Sequence, residues 1–169
     1  TPVPTLINIH GGGWVGGTKE GNQMELLPYF VLGFSVVNVE YRMARIALAP
    51  AAVEDCRLAL EWVVKNARTY NFDTTRIVIA GGSAGGHLAA LAALTCGEIR
   101  VDPAPAAPGS ECIQAAVVWY GPFDFASMLA RAPAGDDAMN ALLRCKPAQC
   151  PKAQVADASP AAHVDARDP

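Results

Sequence analysis

Arg76-Ile77-Val78-Ile79-Ala80-Gly81-Gly82-Ser83-Ala84-Gly85-Gly86-His87-Leu88-Ala89-Ala90-Leu91 runs from a β-branched stretch of strand length, through glycines, into a Leu/Ala-rich stretch of helical character. Gly81, Ser83 and Gly85 fit G-x-S-x-G. Glycine on either side of the serine permits a turn so sharp that a side chain there would clash. The serine is then held in strained backbone at the head of a helix, with its Oγ projecting into open space. Such a motif alone is common among Gly-rich turns; the strand before it and the helix after it are what give it meaning.

A second Gly-rich stretch, His10-Gly11-Gly12-Gly13-Trp14, follows the apolar run Leu6 to Ile9 and also reads as a strand leaving through a turn. It fits a loop that brings backbone N–H donors to the same place as the serine. Together the two stretches point to acyl transfer through a serine nucleophile, Ser83, with an oxyanion hole. The N–H of Ala84, next in the chain and at the start of the helix, points at a developing oxyanion and adds the positive end of the helix dipole.

Outward from these motifs the hydrophobic period alternates. Strand Leu6 to Ile9 leads through the loop Gly11 to Gly17 to a helix over Gln23 to Leu32, then to strand Phe34 to Val39 and an irregular stretch from Tyr41 to Leu48. A helix begins with Pro50 in its first turn and runs to about Arg68. Strand Arg76 to Ala80 is entered through a turn at Asp73, and after the nucleophile helix come a Pro/Ala-rich loop, Val101 to Ser110, and strand Ile113 to Trp119. The order β-α-β-α-β-α-β calls for an α/β fold, a parallel sheet with helices on both faces. The sequence reads as a single domain over 1–169, with 132–169, rich in proline, alanine and short polar residues, as a cap or cover segment with short helical pieces.

Composition narrows the possibilities further. The chain has 169 residues, 51% hydrophobic and 17% charged, enough for one α/β domain to bury about two thirds of its unfolded surface. Thirteen basic residues against sixteen acidic ones give a formal charge of −3 with no basic stripe, which disfavours nucleic acid and anionic membrane surfaces as partners. No apolar run reaches the ~18 residues of a membrane span.

Five cysteines are present and lack a metal-binding pattern. Cys56 falls on the apolar stripe Val53, Cys56, Leu60, Val63 and reads as a buried free thiol. Cys145 and Cys150 bracket a loop with no hydrophobic anchor and are expected to form a small staple; Cys96 and Cys112 are candidates for a second. Bridges of this kind imply an oxidising compartment, secreted or periplasmic.

INIHGGGW, Tyr41-Arg42, PAAVEDCRLALEWV from Pro50 and GGSAGGHLAAL from Gly81 resemble the α/β-hydrolase esterases related to hormone-sensitive lipase, especially the bacterial feruloyl-esterase and acetyl-ester-hydrolase branch. The resemblance runs from Thr5 to the end of the chain. It implies the α/β-hydrolase fold, small acyl or aromatic esters as substrates, and no metal or organic cofactor. It also implies that Gly12 and Gly13 supply the remaining oxyanion donors, where glycine lets the backbone approach the substrate. Gly82 stands where many hormone-sensitive-lipase relatives carry an acid, which favours the feruloyl-esterase-like branch. Met43 to Leu48 replaces their proline-rich stretch.

The other candidate residues have plainer readings. His10 is expected to order the oxyanion loop. His87, one turn after Ser83, is expected to be a packed or hydrogen-bonded helix histidine. Trp14 reads as a substrate pocket wall rather than a cofactor stack, and Glu54 and Asp55 as partners of Arg42 or Arg57. Tyr120, Pro122 and Asp124 close a strand end near the cleft as candidate pocket residues. In α/β-hydrolases the chain order is Ser, then Asp or Glu, then His, and only His163 follows Ser83 in any such position. It has no strand before it. The chain therefore reads as truncated at both ends, with early strands before Thr1 and the acid and base after Pro169. The rival arrangement joins Ser83 to Asp124 and His163. Alternatives to ester hydrolysis are an amidase-type relative such as an arylformamidase, and a binding protein on a hydrolase scaffold that has lost its base.

Overall fold

A computed structural model describes residues 1–96, 112–131, 137–146, 149–166 and 168–169. Four parallel strands, β1 (Val3–Ile9), β2 (Ser35–Val39), β3 (Phe72–Gly82) and β4 (Ala115–Trp119), form one sheet in the order β2-β1-β3-β4. The helices are α1 (Leu27–Val31), α2 (Ala51–Lys65), α3 (Ala67–Tyr70), α4 (Ala84–Leu94), α5 (Phe125–Arg131), α6 (Asp137–Leu143) and α7 (Lys152–Asp157). Short 3-10 turns lie at Gln23–Leu26 and Pro160–Ala162.

Strand parity assigns the two faces of the sheet. Because side chains alternate along a strand, the register Ile7↔Val37 and Ile7↔Ile79 puts Val37, Ile7 and Ile79 on one face, with Ala116 opposite Ile79. These belong to the large core shared with α2 and α4. Leu6, Val36, Val78, Ala80 and Val117 line the other face, against Leu26 and Tyr29 of the short helical segment before β2. Helices thus cover both faces of a parallel sheet, as the element order requires.

α2 buries Ala52, Val53, Cys56, Leu60 and Val63 on one stripe, and each fully buried aliphatic side chain contributes about 1.5–3 kcal/mol. Every residue of α4 from Ala84 to Ala93 is buried, so the turn that carries Ser83 opens onto a helix enclosed on all sides. Cys56 is a free, fully buried thiol, and burial pushes its ionisation well above the ordinary range, so it is inert.

Several element boundaries differ from the sequence reading. The helix expected over Gln23 to Leu32 is a 3-10 turn followed by α1, with Pro28 in the first turn of α1 and Gly33 at φ 83° ending it. The helix expected to reach Arg68 breaks at Asn66, whose side-chain amide donates to the Trp62 carbonyl at 2.8 Å. β3 begins at Phe72 rather than Arg76, and the turn expected at Asp73 is an irregularity within that strand: Val3 pairs with Phe72 but Thr5 pairs with Ile77. The extra residues are gathered by the Asp73 carboxylate, which accepts from the Thr75 N–H at 2.9 Å and from Arg76 Nε at 2.7 Å. β4 starts at Ala115 rather than Ile113, because Gln114 Oε1 accepts the Ile77 N–H in place of a ladder bond. The loop expected at Val101 to Ser110 lies outside the described residues.

Both expected cysteine pairs are at bonding distance, with Cα atoms 6.2 Å apart for Cys96–Cys112 and 5.1 Å for Cys145–Cys150. Among the described residues no helix is long and apolar enough to cross a membrane.

Candidate active site

Ser83 sits between β3 and α4 with φ 55° and ψ −122°, a conformation that a residue with a side chain rarely adopts. Its N–H donates to the Trp119 carbonyl of β4 at 2.9 Å, and its carbonyl accepts from the His87 N–H at 3.0 Å, which starts the helix. The neighbouring glycine is required by close approach. A Cβ on Gly85 would overlap the Ile9 carbonyl oxygen and lie 2.6 Å from that of His10. The turn after β3 is therefore wedged directly against the end of β1.

That contact brings the second Gly-rich stretch to the serine. A Cβ on Gly11 would lie 3.5 Å from the Ser83 Cβ. Gly12 (φ 126°) and Gly13 (φ 59°) then carry the loop across, with the Gly12 carbonyl accepting from the Val15 and Gly16 N–H groups. Trp14 continues in the left-handed region at φ 60°, and its carbonyl accepts from the Ala44 N–H at 2.8 Å.

Ser83, Gly13 and Trp14 line one cavity of about 530 Å³ together with Tyr120, Gly121, Pro122, Phe123 and Asp124. Ser127, Met128 and Arg131 of α5 and Ala138 and Met139 of α6 complete it. Tyr120, Pro122 and Asp124 thus stand where the sequence placed them. The contribution of α5 and α6 went unread. Its one local signal is Asp124, whose carboxylate accepts from the Ser127 N–H at 3.1 Å and from the Ser127 hydroxyl and so caps α5. Those bonds, the Ser127 hydroxyl foremost, hold Asp124 below the usual carboxylate range.

The three histidines all have other partners. His10 Nδ1–H donates to the Gly11 carbonyl at 2.7 Å, and its Nε2 faces Glu40 Oε1 at 3.6 Å. Its ring stacks on Tyr41 at 4.5 Å, while the Tyr41 hydroxyl donates to the His10 carbonyl at 3.2 Å. Gly17 (φ 91°) passes so near that a Cβ there would lie 2.6 Å from His10 Nδ1, so the Gly-loop wraps around this ring. His87 is bonded to Trp14 and to Ala158. His163 Nε2 bonds the Asp157 carbonyl at 3.0 Å. Among the described residues no hydrogen bond joins Asp124 to His163, or either to Ser83. The rival triad is therefore not assembled, because Asp124 is spent on a helix cap and His163 on a turn outside the cavity.

Arg42 pairs with Asp55 at 2.9 Å and reaches Glu54 at 3.4 Å, a link between the segment after β2 and the first turns of α2. Among the described residues no three His, Cys, Asp or Glu side chains are grouped to hold a metal ion.

The sequence model of the BD-FAE family matches residues 1–169. The chain is 34% identical over 169 residues to the probable carboxylic ester hydrolase LipM of Mycobacterium tuberculosis, covering 99% of this chain and 39% of that protein. Among solved structures, a bacterial heroin esterase is 42% identical with a TM-score of 0.55, over 57% of this chain and 31% of that one. A bifunctional GH43-CE protein of Bacteroides eggerthii is 27% identical with a TM-score of 0.78, over 100% of this chain and 24% of that one. The chain thus spans about two fifths of the length of LipM.

Proposed function

The chain belongs to the BD-FAE family of α/β-hydrolases, and from that premise we propose that it carries the nucleophile and oxyanion hole of a serine carboxylic-ester hydrolase. The observation that carries this reading is Ser83 on a strained strand-to-helix turn, lining the same cavity as Gly13 and Trp14 of the Gly-rich loop. Ser83 Oγ attacks the ester carbonyl as a base takes its proton. The carbonyl oxygen becomes an oxyanion held by the N–H groups of Ala84, Gly12 and Gly13. Collapse expels the alcohol and leaves an acyl-enzyme, which water then hydrolyses. Each oxyanion donor contributes roughly 3 kcal/mol of transition-state stabilisation. These steps need neither metal nor organic cofactor.

Trp14, Phe123, Met128 and Met139 supply the apolar part of a lining that also carries Asp124, Ser127 and Arg131, and that apolar part suits small acyl or aromatic groups. None of His10, His87 and His163 offers a ring nitrogen to Ser83 in the position it holds. We therefore assign the base and its acid to parts of the full-length protein outside residues 1–169. The two cysteine pairs favour a secreted or periplasmic setting.

The test is kinetic. In the full-length protein, Ser83→Ala should lower kcat on p-nitrophenyl acetate by about a millionfold. An alanine variant that keeps wild-type kcat overturns the assignment.

A further inference from the structure

His87 has a ring that the mechanism above does not use, and that ring is buried and hydrogen-bonded at both nitrogens. It is 2% exposed and lies in the first turn of α4. Its own N–H is bonded to the Ser83 carbonyl at 3.0 Å. Trp14 Nε1–H can only donate, so His87 Nδ1, 3.1 Å away, must be the acceptor. Nε2 then carries the proton and donates to the Ala158 carbonyl at 2.7 Å. The ring lies parallel to Phe125 with centroids 4.8 Å apart, and Trp14 meets it edge-on at 5.1 Å. The tautomer and plane of the imidazole are thereby fixed.

What it fixes in turn is Trp14, the residue directly after the oxyanion glycines. Trp14 holds a left-handed backbone at φ 60°, which persists only where the surroundings over-determine it. Two bonds do so: the Ala44 N–H on its carbonyl and His87 Nδ1 on its indole.

We propose that His87 is a positioning residue, one whose two ring nitrogens key the Gly12–Gly13 loop, through Trp14, and the end of α7, through Ala158, to the helix that carries Ser83. Burial suits this role because it holds the imidazole neutral, with its lone pair left at Nδ1 for the indole. The inference rests on the reading of Ser83 as nucleophile and of the Gly-loop as its oxyanion hole. Displacing such donors by about 1 Å costs on the order of 100-fold in rate.

Asn and Gln separate the two nitrogens, since an Asn amide reaches the position of Nδ1 and a Gln amide that of Nε2. In the full-length enzyme, His87→Gln should lose the Trp14 bond and lower kcat on the order of 100-fold with KM little changed. His87→Asn should recover most of that loss. Trp14→Phe should lower kcat similarly, and adding His87→Gln to it should lower kcat no further. A histidine that only fills space predicts equal kcat for the Asn and Gln variants and additive losses with Trp14→Phe, and either result overturns the proposal. If His87→Gln does not fold, 15N NMR of the wild-type protein decides instead: protonation at Nε2 is expected, and a proton on Nδ1 refutes the arrangement. Ser83→Ala is the separate control. If it leaves activity intact, the nucleophile reading fails, whatever His87 does.

Discussion

The turn that carries Ser83 and the wall of described residues formed by α5, α6, α7 and the turn at Pro160–Ala162, of which α5 and α6 line the same cavity, are held in place by different means. At the turn, backbone lies on backbone. Gly85 abuts the Ile9 and His10 carbonyls, Gly11 lies beside Ser83, and the Ser83 N–H reaches across to β4. In the wall, side chains do the holding. Ser159 Oγ donates to the Val155 carbonyl at 2.6 Å and accepts the Phe125 N–H at 3.1 Å, Gln154 Nε2 donates to the Leu143 carbonyl at 2.8 Å, and His87 reaches Ala158. A backbone wedge has no rotamer with which to relax, whereas a side-chain tether can be shortened or lost by degrees. The turn should therefore respond to substitution all or none, and the wall in graded steps.

The sharpest break of that contrast is Gly85→Ala. One methyl group there collides with two backbone carbonyls, and overpacking with no flexible neighbour costs at least about 3 kcal/mol. Loss of soluble folded protein, or a collapse of its thermal midpoint, is expected. A variant as stable as the wild type would show that β1 and α4 can separate, and the wedge would not be what holds the turn.

Between the two regions stands His87, and pH probes it. Burial lowers its pKa from 6.5 to about 4, with the Ala158 carbonyl opposing the shift. Above the unfolded value the ring is neutral in both states and the full stability is present. As pH falls towards 4 the unfolded chain takes up a proton that the folded one refuses, so about 3 kcal/mol of stability should drain away across that window and no more below it. Urea unfolding of wild type and His87→Asn over the same range isolates this contribution from that of the carboxylates. Two parallel curves would mean that His87 titrates normally in the folded protein.

The wall should yield more gently. Ser159→Ala removes a buried acceptor and donor at once and leaves the Phe125 N–H without its partner. A loss of about 1–3 kcal/mol is expected by denaturant titration, with the Ser83 turn intact. A loss as large as that of Gly85→Ala would erase the distinction between the two regions.

The same contrast explains what could be read from the sequence. β-branched runs at Leu6 to Ile9 and Arg76 to Ala80 betray strands by local period, and the glycines around Ser83 betray a turn by the absence of side chains, so these two strands and the turn after the second follow from short windows. The bulge at Asp73 did not, because it depends on which residue of β1 faces which residue of β3. Nor did the cavity lining from Met128 and Met139, set by how α5 and α6 pack, nor the bonds from His87 to Trp14 and Ala158, which span 73 and 71 residues of sequence. A histidine one turn after the serine looks the same in a sequence whether it packs passively or joins three segments.

The central claim, that Ser83 is the nucleophile, is tested most directly by treating the full-length protein with a fluorophosphonate and locating the adduct by mass spectrometry. One phosphonyl group per chain is expected, on the peptide that contains Ser83, and none in Ser83→Ala. An adduct on another serine, with Ser83 unmodified in a protein that still hydrolyses the ester, would contradict it.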